Sequence, residues 1–255
     1  MIRRPAVTAS TSNADDSAYR ALHDVVIATE DIDDARVVGG QMVGLLLAAF
    51  PTAAAIIRRT ADADAAVSTQ VAASGALHAA FARAGYEPKR GNRYEAQDGR
   101  AIDVLVPSDN RFGQVELGGR GFDAVPGLRL VLAADPILLD LDVTLTDETR
   151  LQLTVKVPSV ELALVLKTLS YSSRHAPKDL VDIHNLLQIA RRHGADEIGG
   201  WRIDKPELRG SRGDAQRELH QLAATAHRNL TLNASGVRPE VLVALIRAKV
   251  GQPRT

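Results

Sequence analysis

With 255 residues, 45% apolar and 24% charged, the chain has the composition of a globular protein, long enough for one large domain or two modest ones. It contains no cysteine, which excludes a disulfide framework and any thiolate metal centre. No stretch approaches the roughly 18 uncharged apolar residues of a membrane span, and Arg3 and Arg4 have no apolar run behind them, so a cytoplasmic protein without a membrane partner is expected. The net charge of zero hides an asymmetry: residues 151–255 hold 16 Lys and Arg against 10 Asp and Glu, leaving 15 against 21 in residues 1–150. That balance suits a protein that holds cations in its first part and a polyanion in its second, and it equally suits two solvated surfaces of uneven charge.

Residues 1–16 are rich in Ser, Thr, Asn and Asp and read as a loose terminus. Asp16 or Ser17 can cap a helix running through Ala21, Leu22, Val25 and Val26. Arg36-Val37-Val38 reads as a short strand that stops at Gly39-Gly40, and residues 41–50 as a buried helix ended by Pro51. Residues 56–68, small and β-branched with charges two apart, suit a strand; residues 70–84 suit a helix with Val71, Leu77, His78 and Phe81 along one side. Residues 92–95 and 100–106 form an expected hairpin about the turn Gln97-Asp98-Gly99, and strands are expected at 128–132, 137–145 and 150–157. After Pro158 the apolar residues fall at helical spacing over 159–172, 177–193, 213–231 and 238–249, with Pro177 placed to start the second of these helices and Gly194 to end it. The expected class is α+β: a mixed β-sheet with flanking helices over 17–157, then a C-terminal helical domain over 158–255.

Chemistry concentrates in Asp62-Ala63-Asp64. In a strand, residues two apart share a face at a repeat of roughly 7 Å, so both carboxylates can reach one site. Hard oxygen ligands of this kind suit Mg²⁺, which takes one or two protein carboxylates and completes its shell with water and substrate phosphates. Asp103 lies in its own strand between Ile102 and Val104, where a charge faces either solvent or a site. Should its strand neighbour that of Asp62, three carboxylates converge, as two-metal phosphoryl transfer requires. Alone, a D-x-D pair is more often a solvated surface pair. Gly39-Gly40, between strand and helix, lets a backbone approach a ligand and leaves free N–H groups for phosphate, though such pairs also serve as plain turns. Arg58, Arg59 and Thr60 precede the carboxylates; Arg59 can meet a phosphate or pair with Asp62 or Asp64. In the helical half, Lys167 sits among Leu162, Val165, Leu166 and Leu169, and Lys178, Asp179 and Asp182 share one side of a helix. The plain reading there is a snorkelling lysine and an intrahelical ion pair.

Taken together, VVGGQMV (37–43), RRTADADAAV (58–67), AIDVLVP (101–107), VLKTLS (165–170) and KDLVDIHNLL (178–187) resemble the AbiEii-like nucleotidyltransferases, a family of the polymerase-β-like nucleotidyltransferase superfamily that includes toxins of toxin–antitoxin pairs. The resemblance spans roughly residues 34 to 190 and implies a nucleotidyltransferase-like fold. It implies that Gly39 and Gly40 hold a triphosphate, that Asp62 and Asp64 bind metal, and that Asp103 is the third carboxylate. Lys167 matches a lysine that contacts nucleotide phosphates, Asp179 a catalytic-site acid, and Lys178 and Asp182 complete that motif. The 22 positions from Gly40 to Asp62 exceed the compact spacing of the family because AAFPTAAAII intervenes.

The expected activity is Mg²⁺- or Mn²⁺-dependent transfer of a nucleoside monophosphate from a nucleoside triphosphate to an acceptor hydroxyl, with Asp103 or Asp179 taking the proton. An RNA or tRNA 3′ end is the expected acceptor, with Arg191, Arg192, His193, Arg209, Arg212 and Arg217 as phosphate contacts and a cognate antitoxin as a further partner. Two alternatives stand beside it: transfer to a small molecule or a protein hydroxyl, and a catalytically silent interaction protein.

Overall fold

The computed structural model describes residues 1–89, 91–109 and 111–253. The fold is α+β, and the chain divides into two compact units: residues 1–49 with 58–158, and residues 50–57 with 159–255.

The first unit opens on β1 (Ile2–Ala9). The expected loose terminus is therefore an edge strand, lying parallel to β9 (Ile137–Thr144) from Ile2 opposite Ile137 to Ala9 opposite Thr144. Its side chains alternate: Arg3, Pro5, Val7 and Ala9 point outward, while Ala6 is buried. Polar composition hid that alternation, and an edge strand is where a proline is tolerated. The antiparallel β10 (Arg150–Val157) completes this three-stranded sheet in the order β1-β9-β10. Next along the chain comes α1 (Asn13–Ala28), started by Ser12, whose hydroxyl accepts from the Asp15 N–H, a few residues earlier than expected.

The second sheet of this unit carries the site. Its path runs β2 (Ala35–Val38), β3 (Ala63–Val67), β6 (Ala101–Ser108), β5 (Arg93–Ala96), β4 (Tyr86–Pro88). β3 and β6 are parallel, and β2 and β5 run antiparallel to their neighbours. β8 (Arg120–Pro126) pairs parallel with the far end of β6, and β7 (Gly113–Leu117) pairs with β8; the sequence pattern did not anticipate either strand. Between β2 and β3, α2 (Gly39–Ala49) buries Met42, Val43, Leu45 and Leu46. Each such side chain contributes about 1.5–3 kcal/mol by leaving water.

Three further expected elements of this unit change. Of residues 56–68 only 63–67 form a strand, since β2 and β6 offer partners only there. The helix expected over 70–84 is two, α3 (Thr69–Ala73) and α4 (Ala76–Arg83), broken by Ser74 and by Gly75 at φ +74°. Residues 128–132 form a helix, α5 (Leu128–Leu132), with Leu128 and Val131 buried three apart; five residues are too few to separate helical from strand spacing.

The second unit is helical: α6 (Val160–Arg174), α7 (Pro177–Arg192), α8 (Gly210–Thr225), α9 (Leu230–Ser235) and α10 (Pro239–Lys249). α6 packs on α7 and α8, and α7 on α9 and α10. Residues 213–231, read as one helix, are split by a 3-10 turn over 226–228 and by Asn229, whose side chain caps α9. Segment 50–57 joins this unit through Asn185, whose amide donates to the Ile56 carbonyl and accepts from the Ile56 N–H, each at 2.9 Å. No helix among the described residues is long and apolar enough to cross a membrane.

Candidate active site

One row of residues crosses the second sheet at a single level. Val38 of β2 lies opposite Asp64 of β3, Asp64 opposite Asp103 of β6, and Asp103 opposite Arg93 of β5. Because side chains alternate, Asp64, Asp103 and Arg93 share one face, and it is the partly open one; Ala63, Ala65, Ile102, Val104 and Tyr94 fill the opposite, buried face. The chain leaves β2 straight into Gly39, whose φ is +70°. A Cβ there would overlap Asp64 Oδ2 and stand 2.5 Å from its Cγ and 2.9 Å from its Cβ. The Asp64 carboxylate thus lies directly against the glycine backbone. Both the positive φ and this close approach require glycine.

Asp62 precedes β3 by one residue, outside the strand. Its Oδ1 accepts from the Thr60 hydroxyl at 2.7 Å. Its Oδ2 stands 3.8 Å from Arg93 Nη1, which in turn donates to Asp103 Oδ2 at 3.0 Å, while Arg93 Nε donates to Glu95 at 2.7 Å. Asp62 and Asp103 therefore converge on one guanidinium. Burial pushes the Asp103 carboxyl above the ordinary carboxylate range, Arg93 opposing this and Asp62 adding to it. Hydrogen bonding to Glu95 raises Arg93 in turn.

Beside the carboxylates, a Cβ on Gly40 would meet Arg58 Nη2 at 2.6 Å, so that guanidinium lies against the start of α2. Gly40, Gly44, Tyr19, Arg58 and Thr60 line a narrow recess of about 40 Å³. Gly44, one turn further on, has open space where a side chain would be. Arg59 pairs with neither Asp62 nor Asp64 in the structure: its Nε faces the buried Asp15 at 3.5 Å, and Asp15 also accepts from the Thr11 N–H and hydroxyl.

The expected residues of the second unit form a group of their own. Lys167 is buried, its Nζ 2.8 Å from Asp182 and 3.7 Å from Asp179, and Arg174 grips Asp179 with two donors at 2.6 Å. Lys178 is exposed. The ammonium of Lys167 is thus engaged by two carboxylates that are themselves fully buried. Of the expected phosphate contacts, Arg212 donates to Glu161 at 2.5 Å, whereas Arg191 and Arg192 stand exposed at the end of α7.

Sequence reasoning missed Arg93, although its alternation with Tyr94 and its place opposite Asp103 across the hairpin were there to be read. It also missed Asp15 and Gly44. Among the described residues no group of three or more His, Asp or Glu is drawn together as a metal cage would be. Two observations bear on whether a divalent cation fits. The Asp64 and Asp103 carboxylates come from adjacent positions of paired strands, and Asp62 reaches the same guanidinium as Asp103. Carboxylate oxygens are hard donors, the kind that suits Mg²⁺ or Mn²⁺, and those of Asp64 and Asp103 share the partly open face of the sheet.

No family model matches the chain, and no curated protein matches it. Among solved structures, the solution structure of the antibiotic-resistance factor ANT(2'')-Ia is similar at a TM-score of 0.42 and 14% identity, over 84% of this chain and 99% of that one.

Proposed function

We propose that the chain is a nucleotidyltransferase, moving a nucleoside monophosphate from a nucleoside triphosphate to an acceptor hydroxyl. The observation that carries this reading is the in-register placement of Asp64 beside Asp103, with the Asp64 carboxylate pressed against Gly39. Acids and a glycine-led helix start are thereby within reach of one phosphate chain.

Asp62, Asp64 and Asp103 would hold Mg²⁺ or Mn²⁺, which when bound neutralises phosphate charge and acidifies an attacking hydroxyl. Gly39 and Gly40 present the first N–H groups of α2 to the triphosphate, and Arg58 lies at Gly40 to meet a phosphate oxygen. Asp103, which burial raises above the ordinary carboxylate range and so makes more basic, accepts the hydroxyl proton on its carboxylate. The acceptor oxygen bonds to the α-phosphorus, the bond from that phosphorus to the bridging oxygen breaks, and pyrophosphate leaves. Lys167, Asp179 and Asp182 serve in this reading as the ion network that ties α6 to α7.

RNA, tRNA 3′ ends included, is the acceptor this reading favours, because residues 151–255 are net basic and Arg191 and Arg192 are exposed. A toxin role with a cognate antitoxin follows from the sequence resemblance. Purified protein incubated with each labelled nucleoside triphosphate, Mg²⁺ and total cellular RNA should label RNA, and Asp64→Asn should abolish the label. Wild-type labelling by Asp64→Asn, or no transfer to RNA, small molecules or protein by the native chain, refutes the proposal. Labelling of a small molecule or protein in place of RNA leaves the chemistry and changes the acceptor.

A further inference from the structure

We infer that Arg93 is a resident counter-cation that competes with the divalent metal for Asp62 and Asp103 and yields by pivoting towards Glu95, so that it sets the affinity of the site for metal. This rests on the reading of the three carboxylates as a metal site.

The guanidinium has two working edges. Nη1 faces Asp103 at 3.0 Å and Asp62 at 3.8 Å, while Nε faces Glu95 at 2.7 Å. Nη1 stands at Oδ2 of both Asp103 and Asp62, so a cation drawn to these carboxylates meets the guanidinium's like charge at close range and competes with it. Without a positive group there, carboxylates sharing one face would repel each other. Only arginine has the planar fork to serve both edges at once; a lysine offers a single point of charge.

The backbone and the side chain of Arg93 differ in freedom. The backbone is fixed: its carbonyl accepts from the Lys89 N–H and from Arg120, each at 2.9 Å, and Arg93 is in register with Asp103. The side chain is 37% exposed and lies on the open face. Glu95 shares that face two residues along β5 and is 42% exposed. A guanidinium that releases Asp103 therefore keeps an anchor, and Glu95 takes the displaced charge without itself reaching the row of Asp64 and Asp103.

The test is direct titration of Mn²⁺, followed by the electron paramagnetic resonance of the free ion, on the native chain, Arg93→Gln, Glu95→Gln, the double variant and Asp64→Asn. Thermal melts establish that each is folded. Arg93→Gln should bind Mn²⁺ about five- to tenfold more tightly, the scale set by half-exposed ion pairs to two carboxylates. Glu95→Gln should bind about threefold more weakly, and that effect should vanish in the Arg93→Gln background, because Glu95 acts through Arg93. Affinity unchanged or weakened in Arg93→Gln overturns the inference, as does a Glu95→Gln effect that persists undiminished in the double variant. In both cases, loss of binding in Asp64→Asn leaves the metal site itself standing. If neither the native chain nor Arg93→Gln binds Mn²⁺, the site reading and this inference fall together.

Discussion

Gly39→Ala probes the centre of the argument with a single methyl group. At φ +70° a residue with a Cβ costs about 1–2 kcal/mol. Rotating the Asp64 carboxylate does not clear the clash, because the Asp64 Cβ itself would stand 2.9 Å from the new methyl. β2 and β3 must then separate locally, and overpacking of this kind costs about 1–3 kcal/mol more. The total, roughly 2–5 kcal/mol, corresponds to a melting temperature lower by roughly 5–15 °C in a chain of this size. Gly44→Ala is the matched control: it lies on the same helix with open space about it, so it should raise stability by about 0.5–1 kcal/mol through better helix propensity. Both variants are measured by calorimetric and urea unfolding. Gly39→Ala melting within 2 °C of the native chain, or Gly44→Ala losing as much as Gly39→Ala, would refute the claim that Asp64 is seated on the glycine backbone.

Further predictions concern the second unit and the carboxylates. Lys167→Met takes the ammonium away from the buried Asp179 and Asp182 carboxylates and should cost about 3–5 kcal/mol in urea unfolding; a loss under 1 kcal/mol would contradict the buried network. Asn185→Ala removes both bonds to Ile56 and should cost about 1–3 kcal/mol, with faster hydrogen exchange at the Ile56 amide as the local readout. Burial depresses the pKa of His184, so its neutral form is favoured in the fold. Its contribution is therefore complete above the unfolded value of about 6.5 and is lost as pH falls below it; His184→Gln should flatten the drop in urea midpoint between about pH 7.5 and 5.5, and an unchanged slope would exclude this source. Asp103→Asn should abolish transfer while keeping the melt, whereas retained turnover would remove its role as proton acceptor.

The parts of the fold that the sequence disclosed are those with strong local signals. Gly39-Gly40 before an apolar run and Pro51 after it bracket α2, the turn Gln97-Asp98-Gly99 announces the hairpin of β5 and β6, and the spacing of apolar residues after Pro158 marks α6 and α7. The pairing of Asp64 with Asp103 was conditional on two strands being neighbours, a non-local fact that no window of sequence contains; the parallel register supplies it. Strand β1 escaped notice because its partner, β9, lies far along the chain and its two faces both mix apolar and polar residues, which leaves no period-two signal. Arg93 escaped because its meaning comes from Asp62 and Asp103, two carboxylates on other segments. Lys167 shows the opposite limit: the sequence shows a charge among leucines, and only the fold supplies the partners Asp179 and Asp182.

The short stretch 50–57 gives the molecule an unusual wiring. Its flanks belong to one compact unit and it belongs to the other, so the polypeptide crosses between units three times, after residues 49, 57 and 158. Cleavage after Pro158 would still leave residues 50–57 attached to the first fragment, and a fragment of residues 159–255 would have Asn185 without the peptide it clasps. The two units are consequently not interchangeable modules. Dissecting this protein by truncation would damage the helical portion at a place that lies a hundred residues before it in the chain.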